Sequence, residues 1–396
     1  MISVQEATTI ILSHLFKPKT EGVELIQACG RILAEPIFAD RDFPPFNRVS
    51  MDGIALNINA FQKGQKDFFI EGTQAAGMPP LKLKKPEACI EVMTGAMLPD
   101  GTDAVVRYED IEINNNSAKI LITEIAANQN IHSKSQDAKQ NQQLLSSGLK
   151  ISPAEIALLA SIGKSKVQVF KFPKTAIIST GDELVGIDET PLPYQIRRSN
   201  DTALQAALIE LGCHANKFHL ADSKELLENK LRIIFQDHEL IILSGGVSKG
   251  KFDFIPEVLE SLGVKKLFHQ VSQKPGKPFW FGVTERLTVF ALPGNPVSTY
   301  MCFYRYIKPW LMKSLGSEIS TAQAILATSF NVKPPLTYFL QVKIKNEAGK
   351  LMAYPDTGGG SGDFANLKEV VGFLELSLER NEFKAGEVFP YYSFRQ

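Results

Sequence analysis

Apolar positions recur along this chain at two spacings, and the switches between them divide it. Behind Ser3 and Glu6, an S-x-x-E capping box, Val4, Ala7, Ile10, Ile11 and Leu15 fall on one helical face and predict an opening helix. His14 sits at the polar edge of that face. A mixed segment follows from Leu25 to Ile37. In RDFPPFNRVSMDGIA, residues 41–55, two adjacent prolines forbid a helix and Asp52-Gly53 reads as a turn. Strand-like runs then recur at 68–71, 89–93, 104–113 and 119–125, with Asn114, Asn115 and Asn116 as a hairpin turn between the last two. Residues 46–140 therefore read as a small β-rich domain. Ser152, Pro153 and Glu155 open another helix, closed by Gly163, that returns the chain to its main body.

From Lys174 the pattern becomes α/β. AIIST at 176–180 and LIIL at 240–243 are short, unbroken apolar runs. Such runs read as strands buried on both faces, hence a parallel sheet. Between them Ala203, Leu204, Ala207, Leu208 and Leu211 mark a helix face, with Asn200 or Asp201 as its cap and Gly212 at its end. Asp222, three residues before Glu225, reads as the N-cap of the next helix. PEVLESLG, with Pro256 in its first turn and Gly263 at its end, reads as a third. TVFAL then leads through Pro293-Gly294-Asn295 into a helix with Pro296 at its first position. Residues 319–396 turn β-rich again: Tyr338, Leu340, Val342 and Ile344 alternate strictly, and 346–349 is a hairpin turn. TGGGSGDF at 357–364 is a glycine loop. A small β barrel or sandwich is expected there.

Composition narrows the classes. A length of 396 residues allows about two to four domains. A net charge of zero at pH 7 argues against a strongly basic nucleic-acid surface. Cys29, Cys89, Cys213 and Cys302 form no CxxC pair and no zinc spacing, and read as reduced core thiols. No signal peptide is expected, and no run approaches the roughly 18 apolar residues of a membrane span. A cytoplasmic protein without a membrane partner is expected.

Candidate chemistry gathers in the loops. In LIILSGGVSKGKFDF, residues 240–254, the apolar run breaks at Ser244, Gly245, Gly246, Val247 and Ser248. Ligands of open α/β sheets bind at that carboxyl edge. The two glycines let backbone N–H groups approach an anion, Lys249 and Lys251 add positive charge, and Asp253 supplies a carboxylate. That combination suits a phosphate with a divalent cation. A tight turn with Asp253 as a helix N-cap is the other reading of the same residues. Glu183 shares the sheet edge if the strands are parallel. Lys274 and Lys277 flank a Pro-Gly276 turn, either to clamp phosphates or as a solvated basic turn. The helix start at Asn295, Pro296 and Ser298 can accept an anion, which is worth about 0.3–1 kcal/mol and so calls for several loops acting together.

These loops, in this order, resemble the molybdopterin molybdotransferase family, the MoeA-like proteins and the E domain of gephyrin. SMDGIA at 50–55 is similar to S-x-MDGYA, and MTGAMLPDGTDAVV to TGAPxPxGADAVV. STGDEL, SGGVSKGKFDF, KPGKPFWFG and ALPGNPVS match their counterparts. The resemblance spans nearly the whole chain. It implies a multidomain fold of α/β and β class. An elongated linker domain (1–45 with 141–172) carries an inserted β domain (46–140). A doubly wound α/β domain (173–318) and a C-terminal β barrel (319–396) follow. It also implies insertion of molybdate into the dithiolene of adenylylated molybdopterin, with Mg²⁺-assisted release of AMP. The implied assembly is a homodimer whose active cleft lies between subunits, with a molybdopterin adenylyltransferase as upstream partner. Matched motif by motif, the functional positions fall on Asp52, Thr94, Asp137, Glu183, Asp222 and Asp253, with Pro293 and Pro296. Glu183 and Asp253 stand nearest the metal, and Asp52 and Thr94 reach in from the neighbouring subunit. Ser361 corresponds to a serine of the C-terminal domain.

Three departures stand out. Ile54 replaces the usual tyrosine, His132 and Ser135 replace the arginine and glycine of R-x-x-G-x-D, and DFANLKEVV follows the last glycine loop. They leave a tungstate-inserting paralogue, or a dimeric scaffold or molybdopterin-binding protein without insertion activity, as alternatives. An adenylyltransferase or a nucleotide pyrophosphatase on the same α/β module is a further one, against which the flanking β domains argue.

Overall fold

The structure is a computed structural model that describes residues 1–247, 253–333 and 336–395. The chain forms two compact units, one of 1–34, 147–156 and 166–396, the other of 35–146 and 157–165. Helix α1 (Val4–Leu12) begins on the expected capping box, with Ser3 and Glu6 each accepting the other's backbone N–H.

The second unit is built on a six-stranded sheet. Its strands are β1 (Gly53–Leu56), β2 (Asp67–Gln74), β3 (Ala88–Val92), β4 (Ala104–Arg107), β5 (Ile111–Asn114) and β6 (Ser117–Ile120), in the order β4-β1-β3-β2-β6-β5. Asn115 and Asn116 have φ of 47° and 62°, the turn geometry expected between β5 and β6. The segment read as one strand over 104–113 is two, parted by a 3-10 turn at Tyr108–Asp110.

The α/β part of the first unit contains β7 (Thr175–Thr180), α2 (Asn200–Glu210), β8 (Ala215–Leu220), α3 (Lys224–Asp237), β9 (Leu240–Ser244) and α4 (Ile255–Ser261). It continues with β10 (Lys265–His269), β11 (Trp280–Val283), β12 (Thr288–Leu292) and α5 (Pro296–Cys302). The sheet order is β8-β7-β9-β12-β11-β10, the first four strands parallel and β11 antiparallel to both of its neighbours. Alternation places Ile177, Leu240, Ile242, Phe290 and Leu292 on one face with Leu204 and Leu208 of α2 and Val297 of α5. Ala176, Ile178, Ile241, Leu243, Val289 and Ala291 face the other way, against Leu227 and Leu231 of α3 and Val258 and Leu259 of α4. Both faces are covered, which is why these strands read as unbroken apolar runs. Each Ile or Leu so buried contributes about 1.5–3 kcal/mol. The chain steps from β7 to β8 on one side and then returns to β9 on the other. Strand order therefore reverses between β7 and β9.

The C-terminal strands β13 (Ala322–Leu326), β14 (Thr337–Glu347), β15 (Lys350–Pro355), β16 (Gly372–Leu376) and β17 (Val388–Ser393) run β14-β15-β13-β17-β16. Pairing of β16 back onto β14 closes the barrel, so no edge is left among its staves. Cys29 is exposed, whereas Cys89, Cys213 and Cys302 are buried and unbridged.

Candidate active site

The reversal point leaves the carboxyl ends of β7 and β9 with no crossover above them, and a cavity of about 620 Å³ opens there. Thr180 and Gly181 line it from β7, Ser244, Gly245 and Gly246 from β9, and Pro293, Gly294, Asn295 and Pro296 from the end of β12. Gly245 and Gly246 have φ of 101° and 66°. A Cβ on Gly245 would come within 2.8 Å of the Thr180 carbonyl, so the glycines serve the close approach of the two strand ends as well as any ligand.

Four carboxylates line this cavity: Glu183, Asp201, Asp222 and Asp253. The caps expected from sequence fall elsewhere. Asp222 does not cap α3; Ser223 occupies that position, and the Asp222 backbone N–H donates to Asp182 Oδ1 at 3.2 Å. Phe254, not Asp253, holds the N-cap of α4, and Ser199 that of α2. Relieved of capping, these side chains face the cavity. Burial raises the Asp222 carboxyl above its ordinary range, and the negative charges of Asp182, Glu183 and Asp253 add to the effect.

The positive side is supplied by residues that sequence reasoning passed over. Arg197 and Arg198 line the cavity, held by a short parallel pairing of Leu184–Val185 with Ile196–Arg197. Two adjacent arginines just before a helix were the available signal. Asn200, the first residue of α2, donates through Nδ2 to the Gly294 carbonyl at 2.7 Å and to Ser244 Oγ at 2.9 Å. It thereby ties the ends of β9 and β12 to α2.

Other expected positions sit apart. Lys274 Nζ lies 5.7 Å from the Tyr338 ring centroid, and neither Lys274, Gly276 nor Lys277 lines the cavity. A Cβ on Gly276 would meet Cys302 Sγ at 2.9 Å, so close packing requires that glycine. Ser298 is buried, and the Val297 N–H donates to the Ser361 carbonyl at 3.2 Å. That amide of α5 is thus already satisfied, while Asn295 and Pro296 of the same helix start line the cavity. Asn295 Nδ2 donates to Ser361 Oγ at 3.1 Å, which brings the glycine loop of the barrel to the cavity rim with Gly362. Ser248, Lys249 and Lys251 lie outside the described residues.

Asp52, Thr94 and Asp137 belong to the second unit. Asp52 Oδ1 accepts from the Thr94 N–H at 2.6 Å and from its hydroxyl at 2.8 Å. These two bonds hold the Asp52 carboxyl below its ordinary range. Asp137 Oδ1 lies 2.8 Å from His132 Nε2.

Comparisons with known proteins agree along the whole length. Family models match at residues 2–163 (MoeA N-terminal region, domain I and II), 176–313 (probable molybdopterin binding domain) and 323–394 (MoeA C-terminal region, domain IV). A molybdopterin molybdenumtransferase of Synechocystis sp. is 41% identical over 399 residues, covering 100% of both chains. One from Haemophilus influenzae is 32% identical over 402 residues, covering 100% of this chain and 99% of the relative. The crystal structure of a molybdopterin biosynthesis MoeA protein from Pyrococcus horikoshii OT3 superposes with a TM-score of 0.87 at 25% identity, over 100% of both chains. With its reversal-point cavity and its three matched regions, the chain belongs to the MoeA family of molybdopterin molybdenumtransferases, transferases of molybdenum cofactor biosynthesis.

Proposed function

We propose that this chain inserts molybdate into the dithiolene of adenylylated molybdopterin and releases AMP. The observation that carries the reading is the cavity at the reversal point, where glycine backbone, two arginines and four carboxylates converge. Arginine recognises phosphate through paired N–H donors, which suits Arg197 and Arg198 to a pyrophosphate-linked substrate.

The same donor set fits Mg²⁺. Among the described residues no three His, Cys, Asp or Glu side chains form a ready-made cage. Mg²⁺ commonly needs none, because it keeps several waters and takes one or two carboxylates together with substrate phosphates. Glu183 and Asp253 would hold it, beside the Asp222 carboxyl that burial first, and neighbouring negative charge second, raises above its ordinary range. When bound, the cation neutralises charge that develops as the phosphoanhydride breaks. Asp222, which holds a proton more readily than an ordinary aspartate, is suited to exchange one with the departing phosphate.

In this reading Asp52, Thr94 and Asp137 form the other half of the site, contributed by the neighbouring subunit of a homodimer. The four-domain division, a cytoplasmic setting and an adenylyltransferase upstream complete the proposal. The test is AMP release from adenylylated molybdopterin by the purified protein. Release that requires both molybdate and Mg²⁺ supports it; tight binding without release overturns it in favour of a binding paralogue.

Asp222 gives a separate prediction on stability. Its raised carboxyl favours folding where it is protonated, and that contribution is lost as pH rises through the folded-state value. At neutral pH the crowded charge is a cost. Asp222→Asn is therefore expected to raise Tm at pH 7 by about 1–2 °C while lowering turnover. The gain should shrink as pH falls toward 4. An unchanged or lower Tm at pH 7 would remove the crowding argument.

A further inference from the structure

In the second unit the two-residue strand Arg48–Val49 pairs antiparallel with Ile131–His132, which sets Arg48 and His132 directly opposite each other. Arg48 NH2 lies 2.9 Å from His132 Nδ1, and His132 Nε2 lies 2.8 Å from Asp137 Oδ1. A guanidinium can only donate, so Nδ1 must be the accepting nitrogen. In a neutral imidazole the proton then resides on Nε2, the atom that faces the carboxylate. The order of partners along this chain of bonds thus fixes the tautomer.

The loop that carries Asp137 is anchored around this chain. The Asp137 N–H donates to the Phe43 carbonyl at 2.9 Å, and the Lys134 N–H to Asn47 Oδ1 at 2.9 Å. The Asp137 side chain is 57% exposed, whereas that of His132 is 23% exposed. An exposed carboxylate on a fixed backbone still rotates about its side-chain bonds. The imidazole removes that freedom by taking Oδ1, and among the described residues Oδ2 keeps its accepting capacity. Where the segment resembling R-x-x-G-x-D carries an arginine, this chain has the shorter His132, and the guanidinium stands instead on the facing strand.

We propose that Arg48 and His132 are positioning residues for Asp137. Arg48 selects the Nε2–H tautomer, and His132 in turn orients the carboxylate for the reaction. The proposal rests on the functional reading above, in which Asp137 belongs to the reacting site.

The experiment combines two readouts on the full-length protein. Long-range proton–nitrogen correlation spectra, with His132→Gln identifying the His132 signals, read the ring tautomer without substrate. The expected result is an unprotonated Nδ1 in the wild type and in Asp137→Ala, where Arg48 alone sets it, and a tautomer mixture once Arg48→Ala is added to Asp137→Ala, because the carboxylate at Nε2 otherwise holds the proton there by itself. The second readout is kcat and KM for AMP release from adenylylated molybdopterin with molybdate and Mg²⁺. Loss of orientation in His132→Leu should lower kcat about 10- to 100-fold, with KM within about threefold and Tm unchanged. His132→Gln should recover kcat to within about threefold, because its amide accepts on one side and donates on the other. A fully active His132→Leu, a His132→Gln as impaired as the leucine variant, or a tautomer indifferent to Arg48 in the Asp137→Ala background overturns the proposal. If the wild type releases no AMP, the functional reading falls and the kcat claim with it. The spectra distinguish that failure from failure of the Arg48–His132 link.

Discussion

Asp253→Asn lowers AMP release by about 100- to 1,000-fold and leaves Tm within a degree or so of the wild type. The carboxylate lines the cavity beside Glu183 and Asp222, at the sheet edge where phosphates are proposed to bind. It does not hold the N-cap of α4, so removing its charge does not remove a helix cap. Asparagine keeps the size and one oxygen but loses the charge that a divalent cation needs. Electrostatic groups aimed at developing charge in a water-poor site are worth several kcal/mol each, and the expected loss is of that order. The loss should appear in kcat more than in substrate affinity, and extra Mg²⁺ should recover part of it. Turnover within tenfold of the wild type would take Asp253 out of the machinery. A collapse of Tm would assign it to the fold instead.

Gly53→Ala should destabilise the second unit by about 3 kcal/mol, the upper range for overpacking. Gly53 has φ of 159° and begins β1, which pairs with β3 through Val92 and with β4 through Arg107. A Cβ there would stand 1.9 Å from the Val106 carbonyl oxygen and 2.7 Å from Arg107 Cα. Both obstacles are backbone, so no side-chain rotation relieves them. The strand must separate from β4, and Asp52 moves with it. That residue's carbonyl accepts from the Tyr108 N–H, and its carboxylate holds Thr94. The readout is an earlier melting transition, together with reduced AMP release. An unchanged melting profile would show that the sheet accommodates the methyl group and would remove the steric argument.

The contrast between these two residues marks what a linear reading can reach. AIIST and LIIL announced a parallel sheet because both faces of β7 and β9 are covered. The two asparagine-rich and alanine-glycine turns were equally plain, since φ above zero selects those residues. Asp52-Gly53 reads as a turn by composition, and Asp52 does lie in a bend, but Gly53 is also a strand start that needs contact with a backbone some fifty positions later. Asn200 could not be recognised because its partners, Ser244 and Gly294, lie 44 and 94 positions away. The capping expectations at Asp222 and Asp253 failed for a related reason. An acidic residue before a helix has two outlets, the local N–H groups or a distant cavity, and only tertiary structure decides between them. Arg197 ends a two-residue strand, Ile196–Arg197, and Arg198 follows it, too short a stretch to leave a periodic trace.

The buried thiols bear on the chemistry in a way their packing alone does not suggest. A dithiolene presents two soft sulfur donors to molybdenum, and any thiolate of the protein would compete for the same metal. Burial pushes the Cys302 thiol, on the helix that follows the cavity rim, up to about 12, and the Cys89 thiol likewise. Burial raises Cys213 as well. At neutral pH these sulfurs stay protonated and non-ligating. In the proposed reaction, three of the four thiols are thereby kept from competing with the substrate's sulfurs, and Cys29 is the one the fold leaves exposed.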